Sequence, residues 1–495
     1  MNTGILAYGG YIPQSRLQRS EIAKAHNWFA PGLQGLAKGE RAIASWDEDT
    51  VTMSVEAARD CLTGLDRDAV SAVYMASTTF PFQDRQNAGI VADALSLQSG
   101  IMTLDVGSSQ RAGTSGLSIA MQNSAGSGKS TLLVTSDKRR TKAASPLEMT
   151  SGDGAAALLI GEGDVIARLL GSHTESVDFV DHYRDENNSY DYGWEERWVR
   201  DEGYMKIVPT AVNALLESSG VKADDITTFC FPVAMGRVAG TLAKNLGIPG
   251  SAVADNLQAN CGEIGAAHAV VMLVHALEQA KPGDKILVAG FGQGCDALLF
   301  EATDALASFP ARRGISGHLA RRREETNYLR FVTQNNLLNV ERGIRGEVDK
   351  VTGLSTLYRN KHMAQRFIGG ICKTCGTPQF PKTKICVAPD CGEVGTQDDY
   401  PFADKISHIQ SYTADKLTYS PDPPAYYGMI NFEGGGRLMN DFCDIAPDFG
   451  VEVGMSMRLM FRVKDYDNNR GFRRYFWKAT PTDEALASQK KSKGE

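Results

Sequence analysis

The chain of 495 residues has no positively charged opening followed by an apolar core. It begins Met1-Asn2-Thr3-Gly4-Ile5-Leu6-Ala7-Tyr8-Gly9-Gly10, which does not read as a signal peptide. A membrane-length apolar run is missing too. The longest, residues 265–277, is about 13 residues and holds His268 and His275, against the roughly 20 that a span needs. Positive charge is not in excess: 52 Lys and Arg stand against 59 Asp and Glu, for a net charge of −7. A general nucleic-acid binder needs a basic face to displace counterions, so that class is excluded. Nine cysteines is an odd total, and without a secretory signal it argues against a disulfide framework. These absences predict a soluble cytoplasmic protein with no membrane or nucleic-acid partner. With 42% hydrophobic and 22% charged residues, the chain is too apolar to be disordered. At about 100–200 residues per domain, its length predicts two to four domains. What it has in excess is glycine, 50 residues with no collagen-like period, which predicts tight turns and close backbone approach.

Texture divides the chain. Over 1–302, short apolar runs such as Ala72–Ala76, Thr131–Thr135 and Lys285–Gly290 alternate with small-residue helical stretches at 57–65, 88–97 and 207–219. Unbroken apolar strands between helices imply buried parallel or mixed sheets, and the length allows two α/β halves, 1–165 and 166–302. Residues 303–366 carry charge runs, Arg312-Arg313, Arg321-Arg322-Arg323-Glu324-Glu325 and Glu347-Val348-Asp349-Lys350, and read as a mostly helical connector with solvated faces. Residues 367–398 hold a cysteine cluster. From 399 to 480, short strands punctuated by glycine (427–436, 451–455, 457–463 and 474–479) fit a small β-barrel. Residues 481–495, with Lys490-Lys491-Ser492-Lys493, read as a frayed tail.

The sharpest local signal is Cys372-Lys373-Thr374-Cys375 followed by Cys386-Val387-Ala388-Pro389-Asp390-Cys391. Two cysteine pairs, each held on a turn, put four thiolates on a tetrahedron, as a structural Zn²⁺ site requires; iron in a rubredoxin-like site is the alternative. Gly376 and Gly392 let the backbone turn around the metal. Four thiolates leave no open coordination position, so no chemistry is expected there. By contrast, Gly126-Ser127-Gly128-Lys129-Ser130-Thr131 only imitates a phosphate loop. Asn123 stands where the motif needs glycine, and a helix precedes and a strand follows, the reverse of the required order.

Four segments carry a resemblance. They are Asp105-Val106-Gly107-Ser108-Ser109-Gln110-Arg111-Ala112-Gly113-Thr114-Ser115-Gly116-Leu117, Ser151-Gly152-Asp153-Gly154-Ala155-Ala156-Ala157, Phe229-Cys230-Phe231-Pro232, and Asn260-Cys261-Gly262-Glu263-Ile264-Gly265-Ala266-Ala267-His268. In order and spacing, residues 1–302 resemble hydroxymethylglutaryl-CoA synthase and ketoacyl synthase III of the thiolase superfamily. The resemblance implies a duplicated αβαβα fold, a homodimer, and coenzyme A or acyl-CoA as substrate. Residues 367–480 are similar to the zinc-ribbon plus OB-fold domain that accompanies thiolase-like proteins.

The departures bear on the chemistry. Gln110 stands where this family has its cysteine nucleophile, Cys230 where it has histidine, and Glu263 where it has asparagine. A thiolate at a helix start attacks thioesters. A neutral amide holds no acyl group but hydrogen-bonds a thioester carbonyl or an enolate, and decarboxylating relatives of ketosynthases also carry glutamine there. Glu263, in a Gly-Ala-Ala setting, reads either as an acid or base with a raised pKa or as a buried structural carboxylate. Cys230 is a nucleophile or a small buried residue. Asp84 lies where the synthases place an acidic base, and reads equally as a helix cap. His182, between Asp181 and the aromatic stretch to Trp198, is a candidate acid or base. His268 reads as a core histidine. No residue is singled out for binding coenzyme A. The expected activity is making or breaking a carbon–carbon bond on a β-keto or β-hydroxy acyl substrate without a cysteinyl intermediate. A retro-Claisen or retro-aldol cleavage fits, for example CoA-dependent cleavage of an aromatic β-keto acid. The alternatives are a hydroxymethylglutaryl-CoA synthase-like condensing enzyme and a non-catalytic acyl-CoA-binding scaffold.

Overall fold

A computed structural model describes residues 3–346, 351, 353–448 and 450–493. The charged run Glu347-Val348-Asp349-Lys350 lies outside the described residues. The chain clusters into two compact units, one of residues 1–45 and 49–332, the other of residues 46–48 and 333–495. The segment expected as a single connector, 303–366, is thus divided at 332/333.

In the first unit the apolar runs form one sheet of nine strands: β1 (Thr3–Tyr11), β2 (Val70–Ala76), β3 (Met102–Val106), β4 (Ser130–Lys138), β5 (Asp153–Glu162), β6 (Ala167–Ser176), β7 (Thr228–Cys230), β8 (Lys285–Phe291) and β9 (Gly294–Ala302). Their order is β7-β8-β9-β6-β1-β5-β4-β2-β3. Outward from β1 the ladder runs β5, β4, β2, β3. Outward from β6 it runs β9, β8, β7, and Val253 then adds a single parallel bridge to Phe229 beyond β7. The pattern first-fifth-fourth-second-third therefore occurs twice, with the third strand of the second copy shrunk to one bridge. The copies meet where β1 pairs with β6 at Gly4–Arg168 and Ile5–Ala167. This is the duplicated thiolase-like α/β fold.

Each copy sends a helix back between its third and fourth strands: α1 (Ala112–Ser127) and α2 (His268–Leu277). Both are rich in small or apolar residues because they are sunk in the core; Leu117, Ala120, Val270, Val271, Leu273 and Val274 are buried. The helices approach so closely that a Cβ on Gly113 would lie 2.2 Å from the carbonyl oxygen of Ala266. Gly128 ends α1 at φ 66° and turns the chain into β4, so the phosphate-loop lookalike is a helix-to-strand turn. The helix expected at 57–65 starts earlier, at Thr50, because Asp49 and Thr52 form a reciprocal capping box. Arg322, expected on a solvated face, is paired with Glu40.

In the second unit, β10 (Ile368–Cys372) lies between β11 (Pro378–Gln379) and β12 (Gln397–Pro401). Then β13 (Ser407–Asp415), β14 (Ala425–Phe432), β15 (Arg437–Asp441), β16 (Ser456–Asp467) and β17 (Phe472–Pro481) form an antiparallel sheet in the order β15-β14-β13-β16-β17. A parallel bridge from Phe442 to Ala479 joins its two edges and closes the barrel. Its core holds Phe461 and Trp477, 5.3 Å apart between ring centroids. Two expectations fail here. Residues 451–455 are a loop, not a strand, with Gly454 at φ 85°. The tail is not frayed, since Asp483–Lys493 is a helix. Among the described residues no helix is long and apolar enough to cross a membrane.

Candidate active site and metal centre

Between β3 and α1 the chain turns through Ser108, whose φ of 68° is left-handed, and delivers Gln110 to the start of α1. The turn is tied down from the far copy. Ser109 Oγ and Arg111 Nε donate to the carbonyl of Gly292 at 2.8 and 2.9 Å. Gly292 must be glycine, because a Cβ there would lie 3.0 Å from the Gln110 nitrogen and 2.9 Å from that of Arg111. Buried Asp296 completes the anchor, accepting from Arg111 Nη1, Thr114 Oγ1, Ser115 Oγ and Thr174 Oγ1 at 2.6–3.0 Å. The Gln110 N–H has no acceptor among the described residues, and Gln110 Oε1 is buried without a partner. Together with the positive end of α1, the free Gln110 N–H makes a spot that can receive a ligand oxygen.

A short hairpin, His182–Tyr183 paired with Tyr192–Gly193, brings His182 to this spot. His182 Nε2 is 3.2 Å from Gln110 Nε2, and its Nδ1 is 2.7 Å from Asp181 Oδ2. A carboxylate only accepts, so Nδ1 carries the proton; in the neutral imidazole Nε2 then presents its lone pair to the Gln110 amide. The same face of the hairpin carries Arg184 and Asp191. Asp191 accepts from Arg139 Nε and Nη2 at 2.9 and 2.6 Å and from Arg184 Nη1 at 3.2 Å. Arg184 also donates to the carbonyl of Thr78. Behind these groups, Asp137 accepts from Ser77, Thr78 and Thr79 and from the Ala266 N–H at 2.6–3.0 Å, and so ties the end of β4 to the turn before α2. Tyr204 packs edge-on to Phe231 and Phe291. Burial, and then the charges of Asp181 and Glu263, push its phenol above the ordinary range.

Of the sequence candidates, the fold thus joins Gln110 and His182. Glu263 faces the Arg139 guanidinium, with Nη1 3.8 Å from its carboxylate, rather than the apolar wall that Gly-Ala-Ala suggested. Asp84 is exposed and makes no hydrogen bond among the described residues. The helix Asn87–Ala94 is capped instead by Asp105, which accepts from the Asn87 and Ala88 N–H groups at 2.7 and 2.8 Å. Cys230 is fully buried on β7, and burial pushes its thiol up to about 12. His268 is a core residue: Nδ1 accepts from the Ile264 N–H at 3.0 Å and Nε2 donates to the Asn256 carbonyl at 2.8 Å. Burial lowers its pKa, so it stays neutral. Arg139, Asp191 and Tyr204 escaped the sequence reading. The one available signal was the Asn187-Asn188 turn between Arg184 and Asp191, which marks a hairpin.

The four cysteine Sγ atoms of the ribbon all lie within 4.8 Å of one another, with Cys372–Cys391 at 3.8 Å and Cys375–Cys386 at 3.5 Å. Zinc with Zn–S bonds of about 2.3 Å at a tetrahedral centre needs about 3.8 Å between sulfurs, so the set fits that ion. Gly376 and Gly392 turn the two cysteine loops at φ 74° and 62°.

Comparison with known proteins follows the same division. Residues 216–300 match the 3-oxoacyl-[acyl-carrier-protein] synthase III C-terminal family, and residues 363–394 match the rubredoxin-like zinc ribbon of ChsH2. The hydroxymethylglutaryl-CoA synthase of Methanosphaera stadtmanae is 32% identical over 307 residues, which is 61% of this chain and 88% of that protein. That of Methanocella arvoryzae is 32% identical over 310 residues, with the same shares covered. Among solved structures, hydroxymethylglutaryl-CoA synthase complexed with CoA superposes with a TM-score of 0.59 at 20% identity, over 71% of this chain and 95% of that one. OleA of Xanthomonas campestris with bound lauric acid and lauroyl-CoA gives 0.54 at 19%, over 61% and 99%. The chain therefore belongs to the hydroxymethylglutaryl-CoA synthase family of the thiolase superfamily, with a ChsH2-type zinc ribbon and a five-stranded barrel following the thiolase-like fold in the sequence.

Proposed function

We propose that the first unit is a condensing enzyme that forms a carbon–carbon bond at the α-carbon of an acyl-CoA thioester without an acyl-enzyme. One observation carries this: Asp181, His182 and Gln110 form a chain of contacts at the start of α1, and Gln110 is the position at which the resemblance puts the family's cysteine nucleophile. The names of relatives, a CoA complex and a lauroyl-CoA complex, support a CoA thioester as the substrate. In this reading the thioester oxygen takes the free Gln110 N–H and the Gln110 side-chain amide. Once the Gln110 amide has turned from His182 to the thioester oxygen, the freed Nε2 lone pair removes an α-proton, and Asp181 holds the imidazolium that results. The charge moves onto the thioester oxygen, which the donors and the α1 N-terminus stabilise. The α-carbon then bonds to a carbonyl carbon of the acceptor, and the new alkoxide takes the proton back from His182. No proton is gained or lost overall, and the thioester stays intact. Retro-aldol cleavage would run on the same groups in reverse, whereas retro-Claisen cleavage needs in addition a free coenzyme A thiol to take the released acyl group; the synthase names of the relatives favour condensation. Zinc, when bound by Cys372, Cys375, Cys386 and Cys391, supplies folding energy to the ribbon and no chemistry.

The test is deuterium uptake into the methyl group of acetyl-CoA in D₂O, followed by mass spectrometry. Wild type exchanges, and His182→Ala loses about 10²–10⁴-fold of the rate, the usual worth of a general base. Equal exchange in His182→Ala, no exchange by wild type, or an acyl group found on Cys230 or Cys261 overturns the proposal. Light scattering of the full chain checks the homodimer that the family resemblance implies.

A further inference from the structure

We infer that Asp191 is a positioning residue, whose carboxylate, clamped between Arg139 and Arg184, seats the 182–193 hairpin so that His182 faces Gln110. The inference rests on the reading of His182 as the proton carrier. The hairpin is a sheet of its own, with only two residue pairs, His182–Gly193 and Tyr183–Tyr192. Two strands that short hold no register by themselves. Apolar burial does not hold them either. Side chains alternate between faces, so Tyr183 and Tyr192 share the face opposite His182, where they are about half exposed and touch each other at 5.4 Å between ring centroids. Trp194 is exposed beside them.

The anchor is ionic and lies on the inward face. Arg139 leaves the end of β4 and is buried. It donates two N–H groups to Asp191 Oδ2, while Arg184 donates to Oδ1. Arg184 directly follows the outgoing strand and Asp191 directly precedes the returning one, so one carboxylate ties both arms of the hairpin to the scaffold. Arg184 adds a second tie to the Thr78 carbonyl. Without the Asp191 carboxylate, the remaining carboxylates near Arg139 are those of Glu263, at 3.8 Å, and Asp137.

The experiment compares wild type, Asp191→Asn, Asp191→Glu and Arg184→Gln as full-length, zinc-loaded proteins. The first readout is the downfield proton NMR signal of the His182 Nδ1–H bound to Asp181, assigned by its loss in His182→Ala. The second is the acetyl-CoA exchange rate. Asp191→Asn is expected to lose the signal and to slow exchange at least about tenfold at saturating acetyl-CoA, with KM within about threefold, since an ångström of misplacement costs rate rather than binding. Asp191→Glu restores part of both. Arg184→Gln, on a partly exposed side chain, weakens the signal and decides the matter if Asp191→Asn does not fold. An unchanged signal with exchange within about twofold in Asp191→Asn, or in Arg184→Gln where that variant decides, overturns the inference. The NMR signal does not depend on turnover, so absence of exchange in wild type would defeat the proposed function while the seating of His182 is still decided.

Discussion

Two glycines on α1 are predicted to behave in opposite ways. Gly113 sits where α1 crosses the turn into α2, and a Cβ there would lie 2.2 Å from the carbonyl oxygen of Ala266, 3.3 Å from its carbon and 3.5 Å from Val270 Cγ2. Ordinary contact begins at 3.4 Å, so Gly113→Ala needs about 1.2 Å of movement, and backbone cannot rotate aside as a side chain can. Gly126, near the other end of the same helix, has nothing within 4 Å of its would-be Cβ. Gly126→Ala therefore brings only the helix-propensity gain of about 0.5–1 kcal/mol. Overpacking typically costs about 1–3 kcal/mol and more when backbone meets backbone, so Gly113→Ala is expected to lose about 3 kcal/mol or more. Its second effect is on geometry. Gln110 lies three residues before Gly113, so a shift of this size moves the amide off His182 and slows acetyl-CoA exchange by about a hundredfold. The assay is a paired thermal melt with the exchange rate measured on the same samples. A midpoint for Gly113→Ala within a degree or so of that for Gly126→Ala would refute the close crossing of the helices. Normal exchange in a destabilised Gly113→Ala would refute the claim that this crossing sets the position of Gln110.

The remaining predictions concern the cysteines. Burial pushes the Cys230 and Cys261 thiols up to about 12, so at pH 8 only about one molecule in ten thousand carries the thiolate at either site. Neither should react with iodoacetamide over hours in the native protein, while both label once it is unfolded. Fast labelling of native Cys230 at pH 8 would return it to the list of nucleophiles. Both thiols stay protonated in the folded chain above the pH near 9 where unfolded thiols ionise. Each therefore adds stability that is complete below about pH 9 and declines by up to about 1.4 kcal/mol per pH unit above it. Urea midpoints at pH 8 and 10 for wild type and Cys230→Ala measure this, and the variant should show the shallower decline. The ribbon should carry one zinc per chain by elemental analysis. Cys386→Ser should release it and remove hydrogen-exchange protection from residues 368–401, and retention of full metal by that variant would contradict the four-thiolate site.

How much was legible follows from what each feature depends on. The strands of the sheet were readable because buried parallel strands are continuous apolar runs, as Leu132-Leu133-Val134 in β4 shows. The ribbon was readable because four ligands sit at short fixed spacings. The start of the helix at Thr50 was not, because β-branched Thr50, Val51 and Thr52 look like strand and only the Asp49–Thr52 box overrides them. Glu263 reads as apolar in setting because its neighbours in sequence are apolar, while its neighbour in space, Arg139, lies 124 residues earlier in the chain. The same holds for the pairing of Gln110 with His182, which spans 72 residues. Local pattern reports burial and turns; it carries no information about which distant polar groups share a site.

The three departures from the family's cysteine, histidine and asparagine fit together physically on the proposed reading. With Gln110 in place of a thiol there is no thiolate to stabilise, so a histidine at position 230 has no proton to take. Cys230 can then sink into the core, where it is fully buried. A carboxylate at position 263 would disfavour a neighbouring thiolate but is harmless beside an amide, and Arg139 balances it. Proton handling moves to a hairpin that brings its own carboxylate, since Asp181 and His182 are adjacent in the chain and 2.7 Å apart in space. A base that arrives on a surface hairpin rather than on the sheet must be pinned from outside that hairpin, and a buried arginine at the end of β4 meets that need. Replacing the nucleophile thus requires both a new base and the ion clasp that seats it. Gln110→Cys would set a thiol near His182 rather than near the family's histidine, so any acyl-enzyme that accumulates should be lost in the Gln110→Cys/His182→Ala double variant by mass spectrometry, and its persistence there would refute His182 as the base.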